Sequence, residues 1–112
     1  MENLKEIPLA EKQCQSCRNA VCSLESKVSD DLMGQLCADW SIIDGKLERL
    51  FKFRNFRQAL DMTNRIGQLA EEQGHHPDIF LAWGKVKVTL FTHKVNGLTE
   101  EDFILAAKID QL

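Results

Sequence analysis

Three histidines and two acidic residues lie at positions that the fold could bring together around one cleft. His75 and His76 are adjacent and directly precede a proline, His93 comes later in the chain, and Glu71 and Asp102 flank the set. Histidine exchanges protons readily near neutral pH, because its reference pKa is about 6.5. Two imidazoles at one cleft could take a proton from one substrate atom and deliver another to a departing group, while a carboxylate holds one tautomer. This chemistry suits an elimination or a hydration.

Each of these residues also has a purely structural interpretation. A histidine before proline could simply end a helix, because that position disfavours the helical conformation. Asp102 follows Thr99 at the spacing of a capping box, and Glu71 could be a solvated surface residue. The spacing of the histidines does not support a zinc site, which commonly uses H-x-x-x-H. Spacing alone leaves catalysis and structure open as alternatives.

The four cysteines invite a metal or redox interpretation that their spacing does not favour. Cys14 and Cys17 form a C-x-x-C pair, followed by Cys22 and Cys37. Zinc knuckles usually contain two such pairs, and the redox motif belongs beside a βαβ unit, which this sequence does not predict. We therefore expect reduced thiols, with Cys37 on an apolar helix face, and no bound metal.

Composition restricts the classes of protein that fit. A chain of 112 residues is sufficient for one domain. Its net charge of −3 argues against a domain that neutralises nucleic-acid phosphates. No apolar run approaches the roughly 20 residues of a membrane-spanning helix, and the first residues lack the pattern of a secretory signal. We expect a cytoplasmic protein that contacts neither nucleic acid nor membrane.

The elements that would position the histidines begin after an N-terminal arm. Residues 1–28 show no sustained periodicity and are predicted to be an irregular arm, with the domain spanning 29–112. A short helix is predicted over 29–40, with Ser29 as its N-cap and one apolar stripe. A hairpin follows, since Asp44-Gly45 favours a two-residue turn. Folding about it pairs Ile43 with Lys46 and Ile42 with Leu47. The face predicted to pack against helices comprises Trp40, Ile42, Leu47, Phe51 and Phe53.

A long helix, two strands and a closing helix complete the predicted order. Asn55 and Gln58 resemble a capping box at the start of the long helix, and Gly74 suits its C-terminal end. Strand alternation is predicted on both sides of Gly84, and Thr99 caps the last helix. The buried stripe of the long helix is predicted to contain Phe56, Ala59, Leu60, Thr63, Ile66, Gly67 and Ala70. The order predicts an α+β fold: a two-layer, four-stranded antiparallel sheet with helices on one face, β-β-α-β-β-α after a short helix.

A specific resemblance joins these features. The pattern Glu71-x3-His75-His76-Pro77-x5-Trp83-x9-His93-x8-Asp102 is similar to the signature of the pterin-4a-carbinolamine dehydratases, also called 4a-hydroxytetrahydrobiopterin dehydratases. The likeness extends from about residue 30 to residue 110, including Trp40 and the segment "GLTEEDFILAAKID". The N-terminal "CQSCRNAVC" departs from the family pattern.

The resemblance implies a role for each matched position. His75 and His93 would be the acid–base pair, and His76 would hold the pterin more than transfer protons. Glu71 and Asp102 would orient the histidines. Backbone groups around His75–His76 and Thr92–His93 would meet the polar edges of the pterin, and Trp83 would be structural. The other positions expected to contact or orient substrate are Trp40, whose ring would pack near the pterin, Gly74, Pro77 and Thr92.

The resemblance further implies a dehydratase that removes water from a 4a-hydroxytetrahydropterin, recycling the pterin used by aromatic amino-acid hydroxylases. It needs no metal or organic cofactor, since proton transfer at two atoms suffices. We expect a homodimer or homotetramer, which the apolar residues on several sides of the closing helix also favour. The alternative is a non-enzymatic module that binds pterin or acts as a transcription coactivator through protein interactions.

Overall fold

A computed structural model describes residues 31–112 of the chain. The predicted arm, its three cysteines and the Ser29 cap lie outside the described residues. The named elements are β1 (Ser41–Ile43), β2 (Lys46–Lys52), α1 (Phe56–Gln73), β3 (Asp78–Ala82), β4 (Lys85–Leu90), a short 3₁₀ helix (His93–Val95) and α2 (Glu100–Ile109).

The first hairpin folds about the predicted turn. Asp44 and Gly45 both have positive φ angles, 53° and 76°, which is the backbone of the tight turns that match strand twist. Ile42 pairs with Leu47 and Ile43 with Lys46, so the predicted register is confirmed.

The four strands form one antiparallel sheet in the order β1-β2-β4-β3. The predicted α+β fold is therefore confirmed. β3 and β4 are joined by the turn at Trp83-Gly84, where a Cβ on Gly84 would lie 3.1 Å from the carbonyl oxygen of Phe53. Phe53 N–H also donates to the Gly84 carbonyl, so this hydrogen bond holds the two backbones close together. A side chain at position 84 would crowd the Phe53 carbonyl, which explains the glycine.

Helix α1 begins and ends at the predicted caps. The Asn55 side chain accepts a hydrogen bond from Gln58 N–H, while the Gln58 side chain accepts from Arg54 N–H, one residue earlier than a standard capping box. At the other end Gly74 adopts the left-handed conformation, and its N–H donates to the Ala70 carbonyl. The chain therefore leaves α1 in a fixed direction just before His75.

The core lies between the inner face of the sheet and the helices. Helix α2 is buried at every position from Glu101 to Ala107 and again at Ile109. Its apolar side chains are thus covered within one protomer, and the prediction that α2 leaves apolar surface for an oligomer is wrong. The buried cluster includes Trp40, Leu47, Ala59, Ile66, Val86, Val88, Leu90, Phe103 and Leu105.

Three local expectations also differ from the structure. The predicted helix over 29–40 is helical only at 31–33 among described residues, and tighter i→i+3 hydrogen bonds then carry the chain to Leu36. Cys37 is exposed rather than on a buried helix face. Ile42 and Phe56 were predicted to face the core but are exposed. An apolar pattern predicts the side of a strand or helix on which a residue lies, but not whether another element covers that residue.

Within residues 31–112, no helix carries an apolar stretch that could cross a membrane.

Candidate active site

A buried histidine–carboxylate pair forms the centre of the site. Nε2 of His75 lies 2.6 Å from Oδ1 of Asp102, and both side chains are buried. A carboxylate accepts hydrogen bonds, so Nε2 carries the hydrogen and donates it. The pair therefore fixes the orientation of the imidazole and leaves Nδ1 as the ring nitrogen with which His75 can act on another molecule.

The end of α1 positions His75. Its backbone N–H donates to the Ala70 carbonyl, as does the N–H of Gly74. These two bonds satisfy the last turn of α1 and set the direction in which the His75 side chain leaves the helix. Pro77 then leads directly into β3. Gly74 and Pro77 thus act on the site through the backbone that carries the two histidines.

Asp102 is held in place by two further groups, one of which is itself hydrogen-bonded to a third. Its Oδ2 accepts hydrogen bonds from the N–H of Thr99, at 2.9 Å, and from the hydroxyl of Thr92, at 2.8 Å. Because Thr92 gives its only hydroxyl hydrogen to Asp102, Thr99 donates to Thr92 across their 3.0 Å contact. Asp102 therefore caps α2 with one carboxylate oxygen and bonds to His75 with the other.

The surroundings of His75 favour its charged form. Burial by itself lowers the pKa of His75, but the hydrogen bond to Asp102 and the nearby charges of Asp102 and Glu101 outweigh burial and raise the pKa above 6.5. The protonated ring is therefore favoured more than in a free histidine, which suits His75 to deliver a proton.

His76 forms a second, exposed pair on the same segment. Its Nε2 lies 2.7 Å from Oε2 of Glu71, in the last turn of α1. Both side chains remain largely in contact with solvent, so this pair can reorganise around a ligand more easily than the buried pair. Each acidic residue of the sequence pattern thus contacts a different histidine.

His93 joins the site through its chain neighbour. It begins the 3₁₀ helix directly after Thr92, the residue whose hydroxyl bonds to Asp102. The His93 ring is exposed and meets the Phe91 ring edge-on, with centroids 5.1 Å apart. The backbone of His93 is therefore one peptide from the network that holds His75, and its ring is open to solvent.

The two tryptophans named in the sequence analysis lie outside this network. Trp40 is only 3% exposed, and its indole N–H donates to Asp110, at the other end of α2 from Asp102. Arg49 bonds to the same carboxylate. Trp83 is 67% exposed at the β3–β4 turn. Within one protomer, buried Trp40 belongs to a cluster with the partly buried Arg49 and Asp110. Its predicted contact with a ligand ring stays a prediction.

A cavity of about 540 Å³ lies near that second cluster, not near the histidines. Arg49, Phe51 and Asp110 are among its lining residues, and none of the three histidines is. Size does not identify the reactive site here, because the groups that can exchange protons near neutral pH are gathered at the other end of α2.

The sequence analysis did not identify two acidic residues that contact the histidine site or the Trp40 cluster. Glu101 is buried with Oε1 3.8 Å from Nδ1 of His75. Asp110 falls on the line of Phe103, Ala106 and Ala107, and an acidic residue on a buried stripe was the signal that it needs a partner. For Glu101 the available signal was weaker, since it looked like an ordinary acidic residue in the first turn of a helix.

The sequence is similar to those of known proteins. The sequence model of the family described as Pterin 4 alpha carbinolamine dehydratase matches residues 23–112. A protein of Alkaliphilus metalliredigens, named as a pterin-4-alpha-carbinolamine dehydratase, is 55% identical over 104 residues, or 92% of this chain and 94% of that protein. One of Rubrobacter xylanophilus with the same name is 52% identical and covers 93% and 97% of the two chains.

Solved structures show the same fold. A transcriptional coactivator/pterin dehydratase from Brucella melitensis superposes with a TM-score of 0.74 at 33% identity, covering 80% of this chain and 96% of that one. A pterin dehydratase-like protein described as a RuBisCO assembly factor in the alpha-carboxysome gives a TM-score of 0.53 at 25% identity, covering 64% and 83%.

Proposed function

Because the chain belongs to the pterin-4-alpha-carbinolamine dehydratase family, we propose that it is a hydro-lyase that removes water from a 4a-hydroxytetrahydropterin. The observation that carries this proposal is the buried His75–Asp102 pair. It is located beside the exposed His76–Glu71 pair, and Asp102 accepts a hydrogen bond from Thr92, the chain neighbour of His93. Proton donors and acceptors of this kind are what the elimination of water from a carbinolamine requires.

In the proposed reaction His75 is the acid. Its proton goes to the 4a-hydroxyl, the C4a–O bond breaks, and water departs. His93 takes the proton from N5, and the electron pair of that N–H bond forms the C4a=N5 double bond of a quinonoid dihydropterin. The raised pKa of His75 supports this order of roles, since it favours the protonated form that an acid needs.

His76 and the neighbouring backbone are proposed to hold the substrate. The exposed imidazole of His76 is steadied by Glu71, and the backbone of Thr92 and His93 offers polar groups to a flat heterocycle. Holding the ring in one orientation between these groups contributes to the rate by bringing C4a and N5 to the two imidazoles. Such an enzyme would serve the recycling of a pterin used by aromatic amino-acid hydroxylases.

Replacement of His75 tests the assignment. The His75→Ala variant should lose turnover by about 100-fold or more while remaining folded, because the acid that protonates the leaving hydroxyl is gone. His76→Ala is the matched comparison, and it should raise KM more than it lowers kcat. Stopped-flow measurement of 4a-hydroxypterin loss, with circular dichroism to verify folding, gives both quantities. Near-normal turnover in folded His75→Ala would contradict the proposal.

A second candidate is an interaction role without catalysis. The descriptions of the two solved structures name a transcriptional coactivator and an assembly factor, so this fold occurs in proteins with such descriptions. Titration with a dihydropterin beside the turnover assay distinguishes the candidates. Pterin binding without turnover would favour a non-enzymatic pterin-binding module, and failure of both would favour a protein-interaction module.

A further inference from the structure

Glu101 lies beside the ring nitrogen of His75 that Asp102 does not occupy. Its Oε1 is 3.8 Å from Nδ1, and the side chains of both residues are about nine-tenths buried. Glu101 and Asp102 are consecutive residues in the first turn of α2. The His75 ring therefore has one carboxylate near each of its nitrogens.

The two carboxylates act on the ring in different ways. Asp102 makes a direct hydrogen bond of 2.6 Å to Nε2, whereas 3.8 Å from Nδ1 to Glu101 is too long for one. A buried charge at that distance still favours a protonated ring, because the surroundings screen it less than water does. The hydrogen on Nδ1 thus remains available for another acceptor.

We propose that Glu101 is a positioning residue for the dehydration: its charge favours a proton on Nδ1 of His75, without binding that proton itself. This inference rests on the proposed function. It assigns to Glu101 the task of extending the pH range in which the acid is ready to protonate the leaving hydroxyl.

Two other carboxylates among residues 31–112 lie near this segment and act differently from Glu101. Asp102 acts on the opposite nitrogen, and the Glu71 carboxylate bonds to His76. The carboxylates of Asp102 and Glu101 both raise the pKa of His75 against the effect of burial. Removal of the Glu101 charge should therefore let His75 lose its proton at lower pH.

The test compares Glu101→Gln with Glu100→Gln and Glu101→Asp. Glu100 is the matched control, because it is exposed in the same first turn and has the same relation to the helix dipole. NMR titration of the imidazole signals, with His75 identified from the spectrum of His75→Gln, measures its ionisation. The pH dependence of kcat/KM measures the consequence for the reaction.

In Glu101→Gln we expect the acid dissociation constant of His75 to rise about tenfold. The alkaline limb of kcat/KM should move to lower pH by the same factor, with near-normal activity at pH 6 and a several-fold loss at pH 8. Glu100→Gln should match the wild type, and Glu101→Asp should restore part of the shift.

Each contrary result has a separate meaning. An unchanged ionisation of His75 in Glu101→Gln would overturn the inference whether or not the enzyme is active. A shifted ionisation with an unmoved alkaline limb would overturn the role of Glu101 in the reaction. A wild-type protein without dehydratase activity would overturn the proposed function, and the NMR comparison would still decide whether Glu101 controls the proton of His75.

Discussion

Asp102 links folding and chemistry through a single carboxylate. One oxygen completes the cap of α2 and accepts the Thr92 hydroxyl, while the other orients His75. Each of these hydrogen bonds restricts rotation of the Asp102 side chain, so His75 is bonded to a carboxylate that is itself fixed. Because the cap needs this residue in any case, the orientation of His75 is a by-product of folding α2 correctly.

The charge of His75 should make stability depend on pH. The folded-state pKa of His75 is raised above its ordinary value of 6.5, so its protonation stabilises the folded state. That contribution is fully present below pH 6.5, the unfolded value, and is lost as pH rises through the folded-state pKa. The difference in free energy of unfolding between wild type and His75→Gln should therefore shrink between pH 6 and pH 9.

Urea unfolding at several pH values measures this difference. His76→Gln serves as the control and should keep the wild-type slope, because the exposed His76–Glu71 pair contributes little to stability. A difference between wild type and His75→Gln that stays constant from pH 6 to pH 9 would show that the Asp102 and Glu101 carboxylates do not favour the charged ring in the folded state.

At the scale of elements, features set by neighbouring residues were predicted correctly more often than contacts between distant residues. The Asp44-Gly45 turn fixed the hairpin register, and Asn55 and Gly74 marked the ends of α1, because each signal acts over a few neighbouring residues. Long-range partners were harder to predict: Asp102 was assigned to the histidines only through the family resemblance, and the partner of Trp40 was not identified. Asp110 is 70 positions from Trp40 along the chain, and no local rule joins them.

Gly74 provides a test of how α1 positions the site. Gly74→Ala should cost about 1–2 kcal/mol, because its φ of 67° penalises any residue with a Cβ. No atom lies within 4 Å of that Cβ, so the cost is in the backbone alone. If the backbone relaxes to relieve this strain, the direction in which the chain enters His75 changes. We therefore also expect reduced turnover.

Gly67→Ala is the matched control within the same helix. Its added Cβ also meets no atom within 4 Å, and its φ is not positive. Alanine should stabilise α1 by up to about 1 kcal/mol there. Thermal unfolding of both variants checks the pair, and equal effects would contradict the left-handed cap as the cause.

At the scale of the whole molecule, the apolar surface lies on the sheet rather than on α2. Leu50 and Phe80 are 43% and 56% exposed on strands β2 and β3, and they flank Lys87 of β4 in register. Ile43 is also exposed on this outer face. Since α2 is already covered, the expectation of a homodimer or homotetramer now depends on such surfaces.

The assembly state can be measured before any interface residue is identified. If the protein is a homo-oligomer, light scattering at micromolar concentration should give twice or four times the mass of one chain. Association also stabilises the folded state by mass action, so the unfolding midpoint should rise with protein concentration. A monomeric mass together with a concentration-independent midpoint would exclude the oligomer. The exposed side chains of the outer face would then be available to a different protein, which is the condition that the interaction role requires.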